Sequence, residues 1–219
     1  MIRLYYGSFL DYDNRTIKVD IYDTEASSDF NLTEDNSTGE EIIFTGSNPV
    51  IINHSGEAND LFNPIKKSSC KVGIVTNKLL TNLYTPYKEG IFVKVRRDEQ
   101  ILFEGFMTPN AYSQDLSGNL NSIELEFIDY IGMFQYLTVD EIFDKNEVLT
   151  YFQVFSRIAQ YIRPLDDNRL FVDSSLSLSS NPLFWDLQVQ IKNFFDESDK
   201  ANTIEKMVGE MLQILTMSI

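Results

Sequence analysis

The chain has 219 residues, 43% of them apolar, and 18 basic against 33 acidic side chains give it a formal net charge of −15. That length holds one large domain or one domain with a smaller companion, and the apolar content is ample for a core. The acid excess, with no basic patch, argues against nucleic-acid binding and against an anionic membrane surface; no apolar run approaches bilayer-spanning length, no secretory signal follows Met1, and a single cysteine excludes an internal disulfide.

In chain order, Leu4 to Phe9 and Thr16 to Tyr22 read as a first hairpin turned by Asp11, Tyr12, Asp13 and Asn14. Ile17, Val19 and Ile21 alternate with Lys18, Asp20 and Tyr22, which predicts one wet face. Thr24 to Glu41 is polar and acidic and reads as a long loop or edge excursion; it lacks the ligand spacing and fixed glycine of a calcium loop. Glu41 to Phe44 and Val50 to Asn53 are short strands around a Gly46-Ser47-Asn48-Pro49 turn. A polar loop from His54 to Asp60 and an apolar cluster of Leu61, Phe62, Pro64 and Ile65 follow. Cys70 to Thr76 is a clear strand, with Cys70 as a small buried hydrophobe in it. Leu79 to Tyr84 is a helical turn or a strand end.

Ile91 to Tyr112 is the stretch on which the first part of the chain is organised. Ile91, Val93 and Val95 alternate with Phe92, Lys94 and Arg96, a charged turn runs from Arg97 to Gln100, and Ile101, Leu102 and Phe103 resume an apolar strand. Period-two patterning on both sides of a polar break predicts a β-hairpin. Gly105 inside the second strand predicts a bulge or a close backbone approach. Pro109 should end that strand or sit at an edge. Ser122 to Ile128 completes the set as a half-exposed antiparallel strand.

The pattern changes near Asp129. Tyr130, Met133, Phe134 and Leu137 fall at helical spacing, and Leu149 to Ile162 is the strongest helix, with a stripe of Tyr151, Phe152, Phe155, Ile158, Ala159 and Ile162. Thr150 is its N-cap, and Arg163 and Pro164 end it. Leu170 to Val172 reads as a short strand and Leu176 to Pro182 as serine-rich loop. A second amphipathic helix follows Asn202 or Thr203, with Glu205 in its first turn. Gln213 to Ile219 is apolar, which implies a covering neighbour or a truncated chain. The fold class is therefore α+β: an antiparallel β-barrel or sandwich over residues 1–130, then a smaller, mainly helical domain over 131–219, truncated at its C-terminus.

The inventory for catalysis is thin. His54 is the only histidine and reads as a loop residue, and nothing in the sequence brings it to Cys70. Zinc needs more cysteine or histidine than the chain holds, and there is no phosphate-binding glycine loop or dinucleotide fingerprint. Asp196, Glu197 and Asp199, or Asp166 and Asp167, could pair as glycosidase carboxylates. Local acidic pairs arise by chance in so acidic a chain, and charge before a helix N-terminus has its own structural reason. Tyr84, Tyr87, Tyr112, Tyr130, Tyr136 and Trp185 could form a sugar-binding platform, although aromatics also fill cores and interfaces. No catalytic residue, cofactor or metal is expected.

Several segments together resemble a known family: Asn48-Pro49-Val50, Gly56-Glu57, Asp60-Leu61-Phe62-Asn63-Pro64-Ile65, Ser68-Ser69-Cys70, Leu83-Tyr84, Leu102-Phe103-Glu104-Gly105-Phe106, Thr108-Pro109-Asn110, Asp129-Tyr130-Ile131-Gly132 and Asn193-Phe194-Phe195-Asp196-Glu197. With these segments the chain resembles tail proteins of phages and prophages from Bacteroides-type hosts, of the baseplate hub or tail-associated (tail-tip) kind. The resemblance covers most of the chain outside Thr24 to Glu41, and its motifs are structural. It implies a virion component of the tail, present in the host cytoplasm during assembly. It implies a ring, commonly a trimer of repeated barrels, between the tail tube and the tip, with a channel for tape measure and DNA. Family members run on past the last helix into further β structure, and some carry lytic domains, of which nothing here matches one.

The implied partners are copies of itself and other tail proteins. The candidate assembly residues are Phe103, Phe106 and Tyr112 on the central hairpin and Met207, Met211 and Leu215 on the last helix. Part of the −15 charge is expected to line the channel, so that DNA slides without binding. The alternatives are a carbohydrate-binding module, which predicts an exposed aromatic platform around Trp185 or Tyr112, and a cell-wall hydrolase, which predicts a cleft with two facing carboxylates.

Overall fold

The computed structural model describes residues 1–24, 36–54, 67–85, 88–108, 120–162 and 187–217. The chain divides into two compact units, Met1–Met133 and Phe134–Ile219. The first is a nearly closed antiparallel barrel and the second carries helices, which is the α+β class that the patterning predicts.

The strands of the first unit are β1 (Ile2–Leu10), β2 (Thr16–Asp23), β3 (Glu40–Glu41), β4 (Ile43–Phe44), β5 (Val50–His54), β6 (Ser68–Thr76), β7 (Ile91–Arg97), β8 (Gln100–Met107) and β9 (Asn121–Ile128). They hydrogen-bond in the order β3-β1-β2-β7-β8-β9-β6-β4, with β5 also on β6. The two ends of that order, β3 and β4, are halves of one stretch, Glu40–Phe44. It runs parallel to β1 (Tyr5↔Glu40, Tyr6↔Glu41) and then antiparallel to β6 (Ile43↔Val75, Phe44↔Ile74). Between them the Ile42 N–H donates to the Tyr6 carbonyl at 2.8 Å. This strap returns the sheet on itself and removes two bare edges.

Two glycines make room for the strap. A β-carbon on Gly7 of β1 would lie 2.6 Å from the Phe44 ring, and one on Gly73 of β6 would lie 2.5 Å from Thr45 Oγ1. Inside the barrel, Ile17, Val19, Ile21, Val72, Ile74, Val93, Val95, Ile123, Leu125 and Phe127 form the core together with Cys70 and Phe103. These are the alternate positions of β2, β6, β7 and β9, so the period-two reading selects the inner face correctly.

The central hairpin is present as β7 and β8. Its tip places Asp98 in the left-handed region at φ 53°, which aspartate tolerates. The Asp98 N–H donates to the Thr16 carbonyl at 2.8 Å, fixing this tip to the first hairpin. The register slips between Val95 and Arg96: Val95 faces Phe103 while Arg96 faces Ile101, so Leu102 is the extra residue of a bulge. Gly105 is instead the close approach. Pro109 lies outside the described residues.

Two expectations are corrected. The outer face of β2 is wet only at Lys18: Asp20 is 5% exposed and Tyr22 is fully buried. Asp20 is neutralised by Arg96 Nη2 at 2.6 Å and Arg3 Nη1 at 3.3 Å, and Tyr22 packs against Phe92. The helix read through Tyr130 and Leu137 is a short 3-10 turn, Gly132–Gln135. Asp129 accepts the Gly132 N–H at 2.7 Å and the Ser68 N–H at 2.6 Å, which diverts the chain after β9.

In the second unit, α1 (Val139–Ile142), α2 (Tyr151–Ile162) and α3 (Ile204–Met217) accompany a two-stranded sheet of β10 (Val148–Thr150) and β11 (Gln188–Gln190). Thr150 caps α2 with a reciprocal pair: its hydroxyl accepts the Gln153 N–H at 3.2 Å and Gln153 Oε1 accepts the Thr150 N–H at 2.8 Å. Leu149, read as helical, belongs to β10. The buried stripe of α2 is Tyr151, Val154 and Ile158, with Phe152, Phe155 and Ala159 only half-buried. α3 begins after Thr203, whose hydroxyl faces the Lys206 N–H at 3.4 Å, and buries Ile204, Met207, Val208 and Met211. The stretches Leu170 to Val172 and Leu176 to Pro182 lie outside the described residues.

Candidate functional site

Among the described residues, His54, Asp196 and Asp199 have structural partners, Cys70 is buried, and Glu197 is exposed. His54 closes β5, and its Nδ1 lies 2.8 Å from Ser68 Oγ on the facing strand. Cys70 is fully buried in the barrel, and burial pushes its thiol up to about 12. A thiol held protonated in this way is a poor nucleophile. Asp196 Oδ1 accepts the Ser198 and Lys200 N–H groups, both at 2.8 Å, so it builds a turn between Phe195 and Ala201. Asp199, at the tip of that turn, is paired with Lys145, and the hydrogen bond from Lys145 holds its carboxyl below the usual carboxylate range. Asp196 and Asp199 thus have a structural reason in the geometry of this turn. Asp166 and Asp167 lie outside the described residues. Among the described residues, no group of three histidine, cysteine or acidic side chains is placed to hold a metal.

The aromatic residues separate. Tyr130 stacks edge-on to Phe106 with ring centres 5.6 Å apart, and Phe106 and Phe92 are 5.3 Å apart. These rings pack one another and present no stacking face for a sugar. Tyr84 is exposed, Tyr136 is half-buried, and Tyr87, Tyr112 and Trp185 lie outside the described residues.

The assembly candidates fall on two elements. Phe103 is in the barrel core and Phe106 in the aromatic cluster, while Met207 and Met211 are fully buried along α3. None of these four side chains is exposed. Tyr112 and the Leu215 side chain lie outside the described residues. Apolar side chains that do reach solvent include Ile101 on the central hairpin and Ile214 on α3, together with Leu10 and Tyr12 at the first hairpin tip, Ile51 on β5, Ile43 in the strap and Leu120 near it. Among the described strands β5 pairs with β6 alone. Sequence patterning missed this placement because strand order is not written in local periodicity.

Charge on the barrel is arranged in cross-strand pairs. Lys94 and Glu104 meet at 3.0 Å across β7 and β8, and Lys71 bridges Glu124 and Glu126 of β9 at 2.7 Å each, which raises the lysine's pKa. Tyr5 lies beneath the strap; burial, and then the charge of Glu40, push its phenol up. Among the described residues no helix is long and apolar enough to cross a membrane.

No protein-family model matches the chain, and no curated protein matches it. Among solved structures it is similar to the 43 kDa tail protein of prophage MuSo2 from Shewanella oneidensis, at 11% identity and a TM-score of 0.34. The match covers 74% of this chain and 48% of that protein, so the chain spans about half the length of the tail protein it matches.

Proposed function

We infer that the chain is a structural, non-enzymatic component of a phage or prophage tail, at the tip or baseplate hub, where copies form a ring that joins the tail tube to the tip. The observation that carries this reading is where the family-like segments sit. Asn48, at φ 50°, and Pro49 form the turn between β4 and β5. Ser68 opens β6 and donates to Asp129, which also holds Gly132. Gly105 lets β8 approach β9. The described segments that resemble tail-hub proteins therefore supply turns, a strand start and a close approach of this barrel.

The ring uses barrel edges, β5 first, because an unpaired edge adds a strand from a neighbour at no cost in side-chain burial. A trimer is the favoured stoichiometry. Part of the −15 charge lines the channel and keeps DNA and the tape measure from binding to the wall. The other partners are tail proteins, and the protein resides in the virion tail after assembly in the host cytoplasm.

Immunogold labelling of particles released from a host that carries this sequence tests the placement. Label at the tail tip is the expected result. Label on side fibres, or intact particles without label, overturns it.

A further inference from the structure

The strap leaves one end of the barrel seam open. Its antiparallel register with β6 would next set Glu41 opposite Asn77, yet the ladder stops at Ile43 and Val75. There strap and β6 diverge around a cavity of about 260 Å³ whose lining includes Glu40, Glu41, Ile43, Lys78, Leu80 and Leu120. Ile42 donates its N–H toward β1. Backbone direction alternates along a strand, so the Glu41 N–H and carbonyl point the other way, toward this slot. The slot therefore offers a short open strand edge.

Its side chains select an occupant. Leu80 forms a buried apolar wall, and Ile43 and Leu120 stand at the rim, each 69% exposed. Two carboxylates, Glu40 and Glu41, face one ammonium, Lys78, which is already paired with Glu40. That pair is exposed on both sides and opens at little cost. The rim is thus apolar with a net negative charge, a poor match for another acidic chain of net charge −15.

We propose that the slot is a docking site for an extended segment of a different protein, with alternating apolar and basic side chains, added as a strand along Glu41. Apolar side chains meet Ile43, Leu80 and Leu120, and a basic one meets Glu41. The proposal stands apart from the tail reading and holds whether or not the chain forms a ring.

Fluorescence anisotropy with the full chain and a labelled peptide, Lys-Ile-Lys-Val-Lys-Ile, tests it. The expected result is saturable binding that falls at least ten-fold in Glu41→Lys and in Leu120→Asp but not in the distant control Glu99→Lys. Should either slot variant fail to fold by circular dichroism, Ile43→Ser, which alters only an exposed side chain, takes its place. A block peptide of the same composition, Lys-Lys-Lys-Ile-Val-Ile, should bind at least ten-fold more weakly. Equal binding of the two peptides, equal loss in Glu99→Lys, or no saturable binding overturns the proposal. Self-association of the chain without peptide, abolished by the slot variants in light scattering, makes a second copy the occupant and also overturns it.

Discussion

Gly105 lies against the main chain of Ile128: a β-carbon on Gly105 would sit 2.1 Å from the Ile128 carbonyl oxygen. Backbone cannot withdraw as a flexible side chain can. The contact falls beside the short β8–β9 pairing of Phe106 with Ile128 and Met107 with Phe127, where the two halves of the barrel meet. Gly105→Ala should therefore destabilise the barrel by about 3 kcal/mol, the upper range for overpacking. Gly209→Ala in α3, where nothing lies within 4 Å of the added carbon, should instead stabilise by roughly 0.5–1 kcal/mol. Urea denaturation of both variants checks the contrast; a neutral Gly105→Ala contradicts it.

Asp20 is the buried hinge of an ion triad with Arg3 and Arg96 on its two neighbouring strands. Removing Asp20 leaves two partly exposed guanidiniums without their carboxylate. Asp20→Ala should cost about 2–3 kcal/mol, the upper range for hydrogen bonds to charged groups. Exposed Lys78→Ala, by contrast, should change stability by less than about 1 kcal/mol. Equal small effects in denaturant titrations would show that the Asp20 site is solvated.

Cys70 gives a pH signature. Its thiol ionises near its ordinary value of 9.0 in the unfolded chain and at about 12 when folded. A raised folded value means that the stability contribution is complete below pH 9 and is lost as pH rises toward 12. The stability difference between the wild type and Cys70→Ala should shrink over that window, by up to about 1.4 kcal/mol per pH unit. Burial moves Tyr5 and Tyr151 in the same direction, so only the difference between the two proteins isolates the thiol. A thiol reagent at neutral pH should label Cys70 only as fast as the chain unfolds; immediate labelling contradicts this.

The cap of α2 is local and separable. Thr150→Ala removes the acceptor for the Gln153 N–H and should cost about 1 kcal/mol. Thr150→Ser should keep most of it. Thermal melts of the two variants decide between a capping role and a packing role for the threonine methyl.

The barrel was legible where alternation is strong. Ile17-Val19-Ile21, Val93-Val95 and Ile123-Leu125-Phe127 mark inner faces without ambiguity, and Gly105 marks the close approach. Local patterning reads Asp20 and Tyr22 as wet because their burial depends on Arg3 and Arg96 reaching Asp20 and on Phe92 packing against Tyr22, all from neighbouring strands. A basic residue in phase on the facing strand, Arg96 opposite Lys18 and beside Asp20, was the available signal. The strap at Glu40–Phe44 was legible only as a short strand; its pairing with both β1 and β6 is a long-range property. Patterning assigns Leu149 to the helix that it precedes because β10 has three residues, too few to show a period. The placement of β5 and the slot beside Glu41 arise from strand order and from where a ladder stops, so neither leaves a mark in sequence.

The most direct test of the ring is the mass of the chain in solution, by light scattering across a range of concentrations. The ring reading predicts a defined assembly, three chains of 25.3 kDa being favoured, that an Ile51→Asp substitution on β5 dissociates. A single 25.3 kDa species at every concentration, unchanged by that substitution, would contradict it.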